Sequence, residues 1–269
     1  MTVLEAMPWA GGQLRLAARN PRRRDLLGIV EWRVAELARL GVDVRYDTFA
    51  DDDMIAALSP DVVIIATGGL PQNPDVEHGA DLVVNAWDVI GGDASPTGDV
   101  VLYDDDGTHS AMTTAELLVN AGARLEVVTP ERTIGIEVGG MNMVPYSRAL
   151  NEHDARISLT RRVRSVRRRP DGRLDVEIGS DHSDARTTRV VDAVVGDHGV
   201  RPNDELYRTL VHGSANLGEI DHDALMEGRP QQVMSNPNGR YQLFRIGDAV
   251  AARNVHAAVH DALRLCHVL

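Results

Sequence analysis

A single cysteine, Cys266, stands in 269 residues, which excludes an internal disulfide and any all-cysteine iron–sulfur or zinc site within the chain. No apolar run approaches the roughly 20 residues of a membrane span, and the N-terminus carries no signal-peptide pattern. The expected compartment is a reducing cytoplasm. Positive charge is in deficit, with 28 Lys+Arg against 40 Asp+Glu, a formal charge of −12 and a pI near 5.2. That balance speaks against nucleic acid or an anionic membrane as the main partner. There is no G-x-S-x-G elbow and no Walker loop, and no internal repeat or low-complexity tail. What remains is ordinary for a folded protein: 43% hydrophobic and 25% charged residues, on a chain long enough for two domains with sizeable cores.

The stretch from Val100 to Pro130 gives the strongest local pattern. Val100, Val101 and Leu102 form the short apolar run of a strand buried on both faces, and the run stops at Asp104-Asp105-Asp106-Gly107. Thr113 with Glu116 three residues on reads as a capping box, Gly122 suits a left-handed helix stop, and Leu125, Val127 and Val128 make a second strand. The segment is one βαβ unit of a doubly wound sheet. A dinucleotide fold places glycines at this turn so that backbone N–H groups approach a pyrophosphate. A carboxylate about 4 Å from a phosphate charge is opposed by about 4 kcal/mol at a protein-surface dielectric. Three of them argue against NAD(P)H binding here in the usual way.

Along the chain, Thr2 to Leu4 reads as a short strand ending at Glu5, followed by the glycine pair Gly11-Gly12. The apolar positions Leu26, Leu27, Val30, Val34, Leu37 and Leu40 predict a helix over 23–40 that stops at Gly41. Val42, Val44 and Tyr46 alternate as a strand, 54–58 reads as a short helix, and 61–69 is a buried strand running into a glycine turn. Residues 70–98 form a crossover. Strands follow at 157–160, 163–168, 174–178 and 188–195, with a turn at Pro170-Asp171-Gly172. Six arginines between Arg161 and Arg169 read first as the solvent face of a strand, and second as a patch for an acidic partner. Residues 203–242 give few signals. A strand meeting a turn over 243–250 and a helix over 253–265 close the chain.

Four features now stand in order: V-L-E-A ending in Glu5, G-G-Q-L-R-L-A-A from Gly11, V-V-I-I-A-T-G ending at Ala66-Thr67-Gly68, and I-G-D-A with Gly247-Asp248. As an ordered set they resemble the C-terminal half of the 2,4-dienoyl-CoA reductase and trimethylamine dehydrogenase family, whose members join an old-yellow-enzyme barrel to two nucleotide domains. The acidic turn resembles the dehydrogenase and demethylase branch. The resemblance implies an α/β fold of two Rossmann-like, three-layer domains, the second inserted into the first. It places an FAD/ADP-binding-like domain at 1–75 and 240–269 and an NAD(P)-binding-like domain at 76–239.

Carried over residue by residue, Glu5 would accept hydrogen bonds from an adenosine ribose, and Gly11, Gly12 and Gln13 would form the turn that passes close to the nucleotide. Ala66, Thr67 and Gly68 would form the hinge beside the cofactor, and Gly247 and Asp248 would meet the ribityl chain of FAD. Each has a plain structural reading as well: a surface carboxylate, a simple turn, a strand end, an N-cap. In the family a strand with its own glycine turn precedes Glu5; this sequence starts at Met1 without it, so the first domain is expected to be incomplete at its N-terminus. The barrel, its FMN and the iron–sulfur cysteines are expected on a barrel-bearing partner subunit. The expected role is the nucleotide-domain portion of a flavin-dependent oxidoreductase, of the amine dehydrogenase/demethylase or enoate reductase type. The alternative is a non-catalytic assembly or adenine-nucleotide-binding subunit, or a truncated remnant. No acid, base or nucleophile is named.

Other chemistry is thinly supported. His256 and His260 have the i, i+4 spacing of a metal pair but lack a third ligand. Asp221-His222-Asp223 reads as a polar loop, and Cys266 beside His267 lacks an oriented base and a pocket. No metal site is expected.

Overall fold

The computed structural model describes all 269 residues. In chain order the elements are β1 (Thr2–Leu4), α1 (Gln13–Ala17), α2 (Leu27–Arg39), β2 (Asp43–Arg45), α3 (Asp52–Leu58), β3 (Val62–Ile65), β4 (Gly69–Pro71), β5 (Val83–Asn85) and α4 (Ala86–Gly91). They continue with β6 (Asp99–Asp104), α5 (His109–Asn120), β7 (Arg124–Val128), α6 (Gly140–Glu152), β8 (Arg156–Ser158), β9 (Arg162–Arg168), β10 (Leu174–Ser180), β11 (Ser183–Val191) and β12 (Ala193–Asp197). The last are β13 (Val200–Pro202), α7 (Glu205–Leu210), α8 (His222–Glu227), β14 (Gln242–Arg245) and α9 (Val255–Cys266). No helix is long and apolar enough to cross a membrane.

The chain forms two compact units. Unit 1 comprises residues 1–14, 26–70 and 200–269, and unit 2 comprises 15–25 and 71–199. Unit 2 is thus inserted into unit 1, as the sequence implies, but the boundaries lie elsewhere. Residues 200–239, expected in the inserted domain, cluster with unit 1. They do so because Ser214 bridges Tyr241 and the Asn216 amide bonds both the N–H and the C=O of Leu243. Residues 15–25 join unit 2 because Asn20 and Arg22 bond Glu116 on α5.

Unit 2 is built on a five-stranded parallel sheet in the order β5-β12-β6-β7-β8. The central strands are apolar on both faces because both faces are covered. On one face Val100, Leu102, Leu125 and Val127 pack against α4, α5 and α6 through Ala86, Ala111, Met112, Ala115, Leu118, Tyr146 and Leu150. On the other, Val101, Tyr103, Val128 and Val194 pack against Val163, Val166, Val176 and Ile178 of the antiparallel β11-β10-β9 meander. Val163 and Val166 are three apart yet both buried, because the register slips opposite Glu177 and Ile178. Half of the arginine run is ion-paired: Arg162 with Asp105 and Asp181, Arg164 with Asp181, and Arg169 just after β9 with Asp171 and Asp175. The solvent-face reading of that run fits these pairs.

The capping box does not form. The helix starts earlier than the Thr113–Glu116 signature, at His109 with Thr108 as its N-cap. Thr113 and Glu116 lie in the helix interior, where Thr113 bonds the Tyr146 hydroxyl and Glu116 bonds Arg22. Gly122 takes the left-handed stop at φ 87°.

Unit 1 is less consolidated. Its strands form three separate pairs: β1 with β2 and β3 with β14, both parallel, and β4 with β13. Its buried cluster, Ile55, Val63, Ile65, Leu210, Tyr241, Leu243 and Ala249, belongs to the β3–β14 part. Helix α2 buries Val30 alone, α9 buries Leu265 alone, and β1 has no fully buried residue. Trp32 on α2 is 62% exposed.

Candidate functional site

The strands of unit 1 are short, and the residues named from sequence follow β1, β3 and β14. Glu5 follows β1; its backbone continues the β2 pairing, and its Oε1 accepts from the Met7 N–H at 2.9 Å. Gly11 and Gly12 take φ values of 120° and 44°. Glycine is needed there because an L side chain is strained in that region. A Cβ on Gly12 would meet nothing within 4 Å, so space as well as backbone freedom is available beside this turn. The turn feeds α1, whose first residue is Gln13.

Gln13 is the meeting point. Its Nε2 donates to Asp248 Oδ2 at 3.1 Å, and it lies 4.0 Å from where a Cβ on Gly68 would sit. Asp248 Oδ1 accepts from the Arg253 N–H at 3.2 Å. Gly247 holds φ at 60° and donates its N–H to Asp261 Oδ2 at 3.2 Å. Gly68 is at φ 72°, its carbonyl accepting from Asn203 N, while the Thr67 hydroxyl donates to the Asn203 carbonyl. The ends of β3 and β14 and the start of α1 therefore converge on one carboxylate. Gln13, Gly68 and Asp248 come together; Thr67 is tied to Asn203, Ala66 is exposed, and Glu5 is engaged by its own turn.

These groups fit the hydroxyl-rich parts of a flavin adenine nucleotide. Asp248 is held by two neutral N–H donors, the role a sugar or ribityl hydroxyl takes toward a carboxylate. A carboxylate at a strand end, as Glu5 is, suits a ribose. A pyrophosphate is another matter, since it needs a row of converging N–H groups, and the residues of this site do not supply one. Asn203, which holds both Thr67 and Gly68, begins a stretch that carries few sequence signals.

The corresponding edge of unit 2 is built differently. β6 and β12 are adjacent, and both end in aspartate at the position where connections leave the sheet in opposite directions, the usual ligand site of an open α/β sheet. Asp104 is fully buried and accepts from Gly107 N at 2.8 Å and Gly135 N at 3.2 Å. Burial pushes its carboxyl up to about 6, and does the same to Asp197. Asp105 bonds Arg162, the Tyr103 hydroxyl and His198, which together hold it below the usual range against its own burial. Tyr103 is itself pushed well up by burial. Asp106 fills the space beside Gly199, where a Cβ would lie 2.5 Å from its Oδ1. The protein's own carboxylates thus occupy the place of a dinucleotide phosphate, and the residues here do not fit NAD(P)H.

No group of three or more His, Cys, Asp or Glu side chains is placed to hold a metal ion. His256 and His260 are exposed on α9, Asp221 serves as the N-cap of α8 through Ala224 N, and Cys266 is exposed.

No protein-family model matches the chain. The probable N-methylproline demethylase of Rhizobium meliloti is 49% identical over 263 residues, which is 98% of this chain and 39% of that protein. The chain belongs to the 2,4-dienoyl-CoA reductase and trimethylamine dehydrogenase family. It corresponds to the family's C-terminal part. The N,N-dimethylglycine/sarcosine dehydrogenase of Chromohalobacter salexigens is 38% identical, with 99% of this chain and 40% of that protein matched. Among solved structures, histamine dehydrogenase from Rhizobium sp. 4-9 superposes with a TM-score of 0.79 at 20% identity, over 100% of this chain and 40% of that one. At that identity the likeness concerns the fold. The chain spans about two fifths of the length of the curated relatives it matches. Those relatives are oxidoreductases by name, and the α/β fold is shared with the solved structure.

Proposed function

We propose that this chain is the nucleotide-domain portion of a flavin-dependent oxidoreductase of the amine dehydrogenase and demethylase type, and that unit 1 holds FAD or ADP. The observation that carries this reading is the convergence of Gln13, Gly68 and Asp248 at the ends of parallel strands. Glu5 would take the adenosine ribose, and Asp248, with Gln13 beside it, would take the ribityl or ribose hydroxyls nearer the hinge. A bound flavin supplies the two-electron acceptor; the chain's residues bind and orient it, and none is assigned a proton-transfer role. The amine class rests on the relatives' names, the demethylase and the sarcosine dehydrogenase.

The open edges of unit 1 favour a partner. On β1, the groups of Met1 and Glu5 bond β2, which turns the N–H and C=O of Thr2 and Leu4 the other way, where they have no backbone partner. On β3, Asp61 and Ile65 bond β14, which turns Val62 and Ile64 outward in the same manner. Two-stranded parallel sheets are marginal alone, and one more strand between these edges would span two spacings of about 4.8 Å. We place that strand on a barrel-bearing flavoprotein polypeptide, which would also bring FMN and an iron–sulfur cluster. The same observation supports a second reading, an assembly subunit without catalysis. Titrating the chain with FAD and with ADP separates the two. The expected result is binding that Asp248→Ala and Glu5→Ala each weaken by about tenfold or more, the worth of one charge-assisted hydrogen bond. Unchanged binding in both variants would remove the assigned pocket.

A further inference from the structure

The chain leaves unit 2 at Gly199, and this exit is surrounded by carboxyl groups. Gly199 holds φ at 75°, its N–H donates to Asp197 Oδ1 at 3.4 Å, and its carbonyl accepts from Gln72 N at 2.9 Å. Gln72 lies just after another passage between the units, at Leu70–Pro71. Asp106 presses its carboxylate into the space that a side chain on residue 199 would need. Asp105 N donates to the Asp197 carbonyl at 3.0 Å, so the acidic turn is sewn directly to the exit strand.

Four buried side-chain polar atoms in the chain lack a hydrogen-bond partner, and three belong here: Asp197 Oδ2, Ser110 Oγ and His198 Nε2. Buried polar atoms are usually paired, and each exception calls for a reason. The charges around the turn are unbalanced too. The acids are Asp104, Asp105 and Asp106 on the turn, Asp197 on β12, and Glu137 from the loop before α6, which acts on Asp106. The opposing groups are Arg162 on β9, His198, and the Tyr103 phenol, and all three engage Asp105. No ion pair reaches Asp104, Asp106 or Asp197. A metal would answer the imbalance, but no three of these side chains are placed to hold one. The ligand that fits a buried, unpartnered carboxyl oxygen is a proton.

We propose that Asp197, with Asp104 and Asp106, forms a proton-controlled latch on Gly199, closing the turn when the carboxyls are neutral and loosening the exit strand when they ionise. The Ser110 hydroxyl beside Asp197 favours its ionised form, but burial and the Asp106 and Asp104 charges outweigh it, and a protonated Asp197 turns Oδ2 into an O–H donor facing the Ser110 oxygen. An ionised Asp197 faces the Asp106 and Asp104 charges in a buried site. Asp104 and Asp197 are both held up at about 6 by burial, against an ordinary value near 3.8. They therefore bind protons more tightly folded than unfolded. Their stabilisation is complete below about pH 4 and is lost as the pH rises through about 6. The latch thus works across the mildly acidic to neutral range, and it stands independently of any nucleotide.

The test is amide hydrogen exchange on the intact chain at pH 5 and pH 8, expressed as protection factors to remove the intrinsic pH dependence. The Gly199, Gln72 and Asp105 amides should lose about tenfold or more in protection between the two, the equivalent of one pKa unit, while Val101 and Val127 in the central strands keep theirs. Asp197→Asn should hold the three amides near their pH 5 protection at pH 8, and Asp106→Asn, which removes the repelling charge, should reduce the loss. Equal protection of the wild-type amides at both pH values would overturn the proposal. So would an undiminished loss in Asp106→Asn, which decides the matter even if Asp197→Asn fails to fold.

Discussion

Glu116 is the residue whose replacement tests the packing of unit 2 most sharply. It sits in the interior of α5 with its side chain 10% exposed. Its two oxygens receive both terminal nitrogens of Arg22, and the Asn20 amide adds a third bond at 2.9 Å. The Glu116 carboxylate is the main reason the Arg22 guanidinium is held above its usual value. Arg22 also lies 4.9 Å over the Tyr146 ring, and Asn20 is 1% exposed. Breaking a fully buried ion pair costs about 3–5 kcal/mol. Arg22 remains 39% exposed, so water recovers part of that, and Glu116→Ala should cost roughly 2–3 kcal/mol. Glu116→Gln keeps an acceptor for Asn20 or Arg22 and should cost about 1 kcal/mol. Urea unfolding followed by circular dichroism measures both. Trypsin should cut at Arg19, Arg23 and Arg24 faster in Glu116→Ala, because residues 15–25 lose their tie to α5. The double variant with Arg22→Met should cost less than the sum of the two singles. A loss below about 0.5 kcal/mol for Glu116→Ala, or strict additivity in the double variant, would refute the reasoning.

Gly79→Ala should destabilise unit 2 by about 2–4 kcal/mol in the same assay, since its Cβ would lie 1.9 Å from the Val166 carbonyl oxygen at φ 81°. Gly122→Ala, at φ 87° but facing open space, should lose only about 1 kcal/mol from the backbone conformation. His109 is pushed down to about 4, first by burial and then by Arg23, so its contribution is complete above pH 6.5 and falls away as the pH drops toward 4. Its loss runs opposite to that of the aspartates, and His109→Gln should flatten the acid limb of a stability-versus-pH curve.

Much of the fold was legible because periodicity and punctuation agreed. Val100–Leu102 and Leu125–Val128 read as buried strands, and they are the centre of the sheet. Gly41 and Gly122 read as helix stops, and both take positive φ. The capping box misled because Thr113 and Glu116 have the right spacing for a different reason: they face Tyr146 and Arg22 across the packed side of α5. A local motif cannot reveal a bond made to a residue 94 positions away. The domain boundary failed similarly. Residues 200–239 carry little periodicity, and their place is decided by Asn216 and Ser214 bonding to β14. In the candidate site, the order of the four motifs pointed to Gln13, Gly68 and Asp248, but not to Asn203 or to the Gln13–Asp248 hydrogen bond. The acidic turn reads as hostile to phosphate, whereas its connection to Asp197 and Gly199 lies in the pairing of β6 with β12, which sequence spacing does not express.

The measurement that bears most directly on the central claim is the nucleotide carried by the purified chain, released by denaturation and identified by chromatography and absorbance, with and without prior addition of FAD or ADP. The account predicts close to one FAD or ADP per chain after addition, lost in Asp248→Ala. No nucleotide retained by the wild-type chain under either condition would contradict it, and would leave the assembly reading in its place.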